Sequence, residues 1–237
     1  MKNLNEYFDH TILKPEAGEE DIKKLCKEAV EYEFYAVCIN SSYVQLAKEE
    51  LAGSNVKIAS VVGFPLGACD TATKVFEAKS AMGNGADEID MVINIGALKD
   101  GRYNHVLTDI LAVVSECEGK ALVKVILETC LLTEEEIVEA CLLAKNAGAA
   151  FVKTSTGFST SGATAHNVSL MKRTVGSTVQ VKASGGIRDL KATLEMIQAG
   201  ADRIGASASV SIMQENINGN VPPEESKYIP NSESSSR

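Results

Sequence analysis

The 237-residue chain has no tryptophan, only 5% aromatic residues and three histidines, and its cysteines form no C-x-x-C pair. Each shortage excludes something. His10, His105 and His166 share no ligand spacing with cysteines or carboxylates, so no metal site is expected. The six cysteines are scattered over a long chain and read as reduced thiols of a cytoplasmic protein, not as a disulfide framework. Net charge is −9, which leaves no basic surface for a nucleic-acid backbone. No apolar run approaches the ~20 residues of a membrane span, and the first fifteen residues lack the apolar core of a signal peptide. No G-x-G-x-x-G follows the first strand-like segment, which argues against a dinucleotide-binding open sheet.

What is present is hydrophobic, small and periodic. Hydrophobic residues make up 45% of the chain and alanine, valine and isoleucine abound, a balance suited to helices packed on a parallel sheet. Strand-like apolar runs fall at 8–12, 35–39, 57–62, 88–94, 121–127, 150–154, 178–183 and 202–206. Helical patterns lie between and after them, among them 19–31, 73–84, 133–147, 190–199 and 207–214. Gly-Ala pairs at 85–86, 148–149 and 200–201 supply stops before the next strand. Eight strands alternating with helices predict an α/β fold, a single (β/α)₈ TIM barrel over residues 1–213. The segment 214–237 is polar, holds three of the five prolines and shows no apolar period, so it is expected to be a mostly disordered tail.

Charges inside the strands are the informative feature. Lys124, Lys153 and Lys182 each interrupt an apolar run and are spaced 29 residues apart, at equivalent places in three successive units. Strand side chains alternate. If the neighbouring valines face the helices, all three lysines face the barrel interior, and Glu128 shares the inward face of Lys124. By the same parity Asp9, Thr11 and Asp90 point inward, while Phe8, His10, Ile12, Ile89 and Met91 point outward. A buried ion-pair network that only holds the barrel is the bland alternative. Several charges gathered in one cavity point instead to a site, since their desolvation is costly and stabilises little. A lysine with an ordinary pKa near 10.4 is not a nucleophile at neutral pH. Two cations ~6 Å apart at an effective dielectric of ~20 repel by roughly 3 kcal/mol, about two pKa units. One lysine beside another can thereby become an imine-forming amine, which suggests a metal-free aldolase needing no cofactor. Residue chemistry alone leaves open which of the three it is.

Two glycine-containing loops complete the pattern. Ser184 to Arg188 (S-G-G-I-R) follows the seventh strand and Gly205 to Ser209 (G-A-S-A-S) the eighth, where such barrels often bind phosphate. A third polar loop starts at T-S-T-G, residues 154–157, and is suited to covering a substrate. Rival functions are a phosphate-binding barrel isomerase or synthase, and a barrel that merely binds a sugar phosphate.

The segments F-D-H-T-I-L-K-P, D-E-I-D-M-V-I-N-I-G, V-K-V-I-L-E-T, F-V-K-T-S-T-G-F and V-K-A-S-G-G-I-R, in that order, resemble the successive signatures of the deoxyribose-phosphate aldolase family over residues 4–213. The resemblance implies reversible cleavage of 2-deoxy-D-ribose 5-phosphate to D-glyceraldehyde 3-phosphate and acetaldehyde in deoxynucleoside catabolism. It also implies Lys153 as the Schiff-base lysine, Lys182 as the neighbour that tunes it, and Asp90 paired with Lys182 in a proton relay. Asp9 and Thr11 would meet the substrate hydroxyl, and Gly157, Gly185, Gly186, Arg188, Gly205 and Ser207 would surround the phosphate. Cys38, Lys124 and Thr156 complete the substrate-lining set. The expected partner is a small sugar phosphate, with a homodimer or other homo-oligomer compatible. Two departures stand out: Ala208 follows Ser207 where some members have consecutive serines, and Tyr228, the only tail tyrosine, is not terminal.

Overall fold

The computed structural model describes residues 3–219. Eight parallel strands close into a barrel in chain order: β1 (Phe8–Thr11), β2 (Ala36–Ile39), β3 (Lys57–Val62), β4 (Glu88–Val92), β5 (Leu122–Ile126), β6 (Phe151–Lys153), β7 (Gln180–Ser184) and β8 (Arg203–Ala206), with β8 pairing back on β1. The helices around it are α1 (Glu19–Glu31), α2 (Val44–Glu50), α3 (Thr71–Gly83), α4 (Ile95–Lys99), α5 (Tyr103–Cys117), α6 (Glu134–Asn146), α7 (Ala165–Val175), α8 (Leu190–Gln198) and α9 (Ser209–Ile217). The expected TIM barrel is the observed one.

Local chemistry sets the helix boundaries. Asp70 accepts from the Thr73 amide at 2.8 Å and so starts α3 two residues earlier than the apolar period suggests. Thr133 and Glu136 exchange side-chain-to-backbone bonds at the start of α6, a capping box. The three Gly-Ala pairs follow α3, α6 and α8, their glycines at φ 112°, 82° and 109°. At the far end α9 starts later than expected and continues past residue 214 to Ile217. Glu215 there accepts the Leu190 amide at 2.8 Å, so the first residues assigned to a tail belong to the barrel. Tyr228 and the rest of that segment lie outside the described residues.

Strand parity sorts the side chains as expected. Phe8, Ile89, Met91, Val125, Val152 and Val181 join the shell between sheet and helices, and His10 also turns outward, its Nε2 2.9 Å from Glu28 of α1. The lumen is divided. On the β2–β3 side Cys38, Ala59, Val61 and Leu13 form a small separate apolar cluster. The remaining strands fill the lumen with charge.

Candidate active site

Inward residues of a (β/α)₈ barrel stack in layers contributed alternately by odd and even strands. The innermost charged layer comes from even strands: Glu88 on β4 and Arg203 on β8, joined at 2.9 Å. Arg203 also lies 3.5 Å from the Tyr35 ring centroid. The next comes from odd strands: Asp9 on β1, Lys124 on β5 and Lys182 on β7. The third, nearest the mouth, is again from even strands, with Asp90 on β4 and Lys153 on β6.

The layers are tied together by ion pairs. Arg203 Nε donates to Asp9 Oδ1 at 2.7 Å, and the other Asp9 oxygen meets Lys182. Lys124 lies 2.5 Å from Glu88 and 2.6 Å from Asp90. Oδ2 of Asp90 accepts from both Lys153 and Lys182, each at 2.8 Å. Burial alone would raise the Asp9 and Asp90 carboxyl pKa values. The lysines around Asp90, and Lys182, Arg203 and Lys124 around Asp9, outweigh it and hold both well below the usual carboxylate range. Burial would likewise lower Lys124 and Lys182. Asp90 and Glu88 beside the first, and Asp9 and Asp90 beside the second, hold both above the ordinary lysine value.

Lys153 differs from its companions by access. Lys124, Lys182, Asp9 and Asp90 have no exposed surface, whereas Lys153 keeps 2% and lines an open cavity of about 750 Å³ at the C-terminal ends of the strands. Nine of the sequence-predicted residues reach that wall: Thr11, Lys153, Thr156, Gly157, Gly185, Gly186, Arg188, Gly205 and Ser207. Asp9, Cys38, Asp90, Lys124 and Lys182 do not. Asp9, Cys38 and Lys124, expected to meet substrate, lie behind that wall. Asp9 and Lys124 belong to the layer beneath, and the Cys38 thiol faces Asp90 Oδ2 at 3.8 Å, held neutral by burial. Asp90 and Lys182 are joined at 2.8 Å, and each is ionised in the resting site.

The loop backbone explains the glycines. Gly185 and Gly186 have φ of 83° and 78°, and a Cβ at Gly186 would meet nothing within 4 Å, so its backbone is open to the cavity. Gly205 serves the interior as well as the wall, because a Cβ there would stand 3.0 Å from Lys182 Cε. Asp189 caps α8 by accepting from the Ala192 amide, whereas the start of α9, just after Ser207, has no side-chain cap. The uncapped end is the better anion receptor.

Sequence reasoning passed over two residues and misplaced a third. Glu88 and Arg203 were legible by parity, two positions before Asp90 and Gly205, but Arg203 begins its strand and was not singled out. Glu128 does not share the interior with Lys124. The strand ends at Ile126 and Glu128 sits at φ 58°, which turns its carboxylate to the Thr156 amide and hydroxyl. It holds the 154–157 loop in place over the cavity.

This arrangement has relatives. The family model described as DeoC/LacD family aldolase matches residues 5–220. The deoxyribose-phosphate aldolase of Clostridium tetani is 61% identical over 212 residues, covering 90% of this chain and 98% of that one. That of Clostridium novyi is 60% identical over 212 residues, covering 90% and 96%. A solved structure from Aeropyrum pernix, described as a unique tetrameric deoxyribose phosphate aldolase, superposes with a TM-score of 0.86 at 32% identity, covering 92% of each chain. With the family model spanning nearly the whole barrel and its buried lysines in place, this chain belongs to the DeoC/LacD family of aldolases.

Proposed function

We propose that the chain cleaves 2-deoxy-D-ribose 5-phosphate reversibly to D-glyceraldehyde 3-phosphate and acetaldehyde through a Schiff base on Lys153. One observation carries the assignment of the lysine: of the four cations in the lumen, Lys153 alone reaches the cavity, on the same wall as the loops after β7 and β8. The Lys153 amine adds to C1 of the open-chain aldehyde and expels its oxygen as water, leaving an iminium. The iminium draws electrons from the C2–C3 bond as the 3-hydroxyl gives up its proton to the Asp90–Lys182 pair, which later returns one to C2, so the three-carbon aldehyde phosphate departs and an enamine remains. Protonation at C2 and hydrolysis release acetaldehyde and the free amine. The fixed Asp90 carboxylate, 2.8 Å from the lysine nitrogen, stabilises the positive iminium. The backbones of Gly185 and Gly186, the Arg188 guanidinium and the free start of α9 receive the phosphate.

Among the described residues no helix is long and apolar enough to cross a membrane. The cytosol, where its six thiols stay reduced, is the compartment that suits it. Self-association into a homo-oligomer follows the precedent of the tetrameric neighbour. Borohydride reduction in the presence of acetaldehyde should leave a stable two-carbon adduct, and peptide mapping should find it on Lys153. An adduct on Lys124 or Lys182 overturns the assignment, and no adduct at all overturns imine chemistry.

A further inference from the structure

Glu88 and Arg203 touch neither the cavity nor Lys153, yet both are paired into the same lattice. That lattice holds four cationic side chains, Lys124, Lys153, Lys182 and Arg203, against three carboxylates, Asp9, Glu88 and Asp90. The excess is one positive charge, and one positive charge is what a nucleophilic amine must give up. We propose that Arg203 and Glu88 are positioning residues that each set the lattice charge by one unit, and so fix the pH at which the Lys153 amine becomes available to attack an aldehyde. This rests on Lys153 being the nucleophile.

The other members cannot absorb the excess. Asp9 and Asp90 are held ionised from below, and Lys124, Lys182 and Arg203 from above. The Cys38 thiol from β2 is neutral, and Glu128 faces Thr156. The remaining charged groups about the cavity, Arg188 after β7 and Lys14, Glu16, Asp21, Lys24 and Glu28 from the β1–α1 region, stand on its wall outside the lattice and are untouched by changes below it. His10 is directed at Glu28.

The signs follow from counting. Arg203→Met makes the lattice neutral with Lys153 protonated, so a proton is harder to remove. Glu88→Gln adds one to the excess, so it is easier. Removing both restores the original excess. A unit charge changed at ~10 Å with an effective dielectric of ~20 moves a titration by about one pH unit. Glu88→Gln keeps the side-chain shape, and its amide oxygen can retain the contacts that Oε2 makes with Lys124 and Arg203.

The test measures the rate of acetaldehyde trapping by borohydride from pH 5 to 10, with the adduct mapped in every variant and folding checked by circular dichroism. The acid limb should move up by about one pH unit in R203M and down by a similar amount in E88Q. It should return to the wild-type position in the double variant and stay near it in R203K. A purely structural role predicts limbs that do not move in opposite directions and a double variant no better than the worse single. Either result overturns the proposal, as does an unmoved limb in E88Q should R203M fail to fold. A wild-type adduct on another lysine overturns the nucleophile instead, so the two failures are distinct.

Discussion

Replacing Lys182 with methionine tests the electrostatics of the site most directly, because the variant keeps the unbranched shape and removes the charge. Both lysine nitrogens bond the same oxygen of Asp90 at 2.8 Å, so they lie no more than twice that distance apart. At that separation and an effective dielectric of ~20 two unit charges repel by about 3 kcal/mol, or about two pKa units. Lys182→Met leaves three cations against three carboxylates with Lys153 protonated, and Lys153 is then the one cation on that Asp90 oxygen among the described residues. Both effects favour the ammonium form. Trapping of acetaldehyde at pH 7 should therefore slow about a hundredfold and recover toward pH 9, while the adduct still maps to Lys153. Lys182→Arg keeps the charge and should keep most of the trapping rate, with the absent side chain of Gly205 leaving room beside it, where an added Cβ would stand 3.0 Å from Lys182 Cε. Trapping on Lys153 at the wild-type rate at pH 7 in the folded methionine variant would refute the reasoning, since the nearest buried cation would then have no hold on the nucleophile.

Two other outcomes follow from the geometry. At Gly186, φ is 78° and no atom lies within 4 Å of an added Cβ, so Gly186→Val fills the cavity while alanine chiefly strains the backbone. Relative to Gly186→Ala, valine should raise KM for the 5-phosphate far more than for unphosphorylated deoxyribose, and equal damage to both would make the loop structural. Asp9 and Asp90 have depressed pKa values in the folded state, so their stabilisation is complete above the unfolded value near 3.9 and is lost only as the pH falls through the lower folded values. Carboxyl carbon NMR should show both ionised at pH 4, and an ordinary midpoint near 3.9 at either one contradicts the lattice.

The barrel and its inward charges were legible because strand parity is strict. One buried lysine in an otherwise apolar strand declares which face is the lumen, and three at equal spacing declare it three times. Asp90 and Asp9 followed from the same parity. What parity could not supply was depth. It gave Asp9, Thr11 and Lys124 one common inward direction, and the structure sends Thr11 to the cavity wall and the others below it. Glu128 was misplaced for a different reason: alternation stops where the strand stops, and the left-handed turn at that residue has no glycine to announce it.

Depth is also what separates three lysines that look equivalent in the chain. Lys124 and Lys182 stand on odd-numbered strands and share a layer with Asp9, whereas Lys153 stands on an even strand and shares the next layer out with Asp90. Even strands also supply the layer beneath, Glu88 and Arg203, so the middle lysines are enclosed by charge above and below. Lys124 meets three carboxylates at ion-pair distance and Lys182 two, whereas among the described residues Lys153 meets only Asp90. A lysine pinned by two anions in a dry interior is a poor nucleophile, because removing its proton leaves those anions uncompensated. A lysine held by one shared oxygen, with two further cations on the same carboxylate and open space ahead, loses far less when it becomes neutral. The choice proposed among the lysines, which residue chemistry left open, thus rests on barrel geometry: Lys153 stands in the outermost charged layer, and the other two stand one layer beneath it.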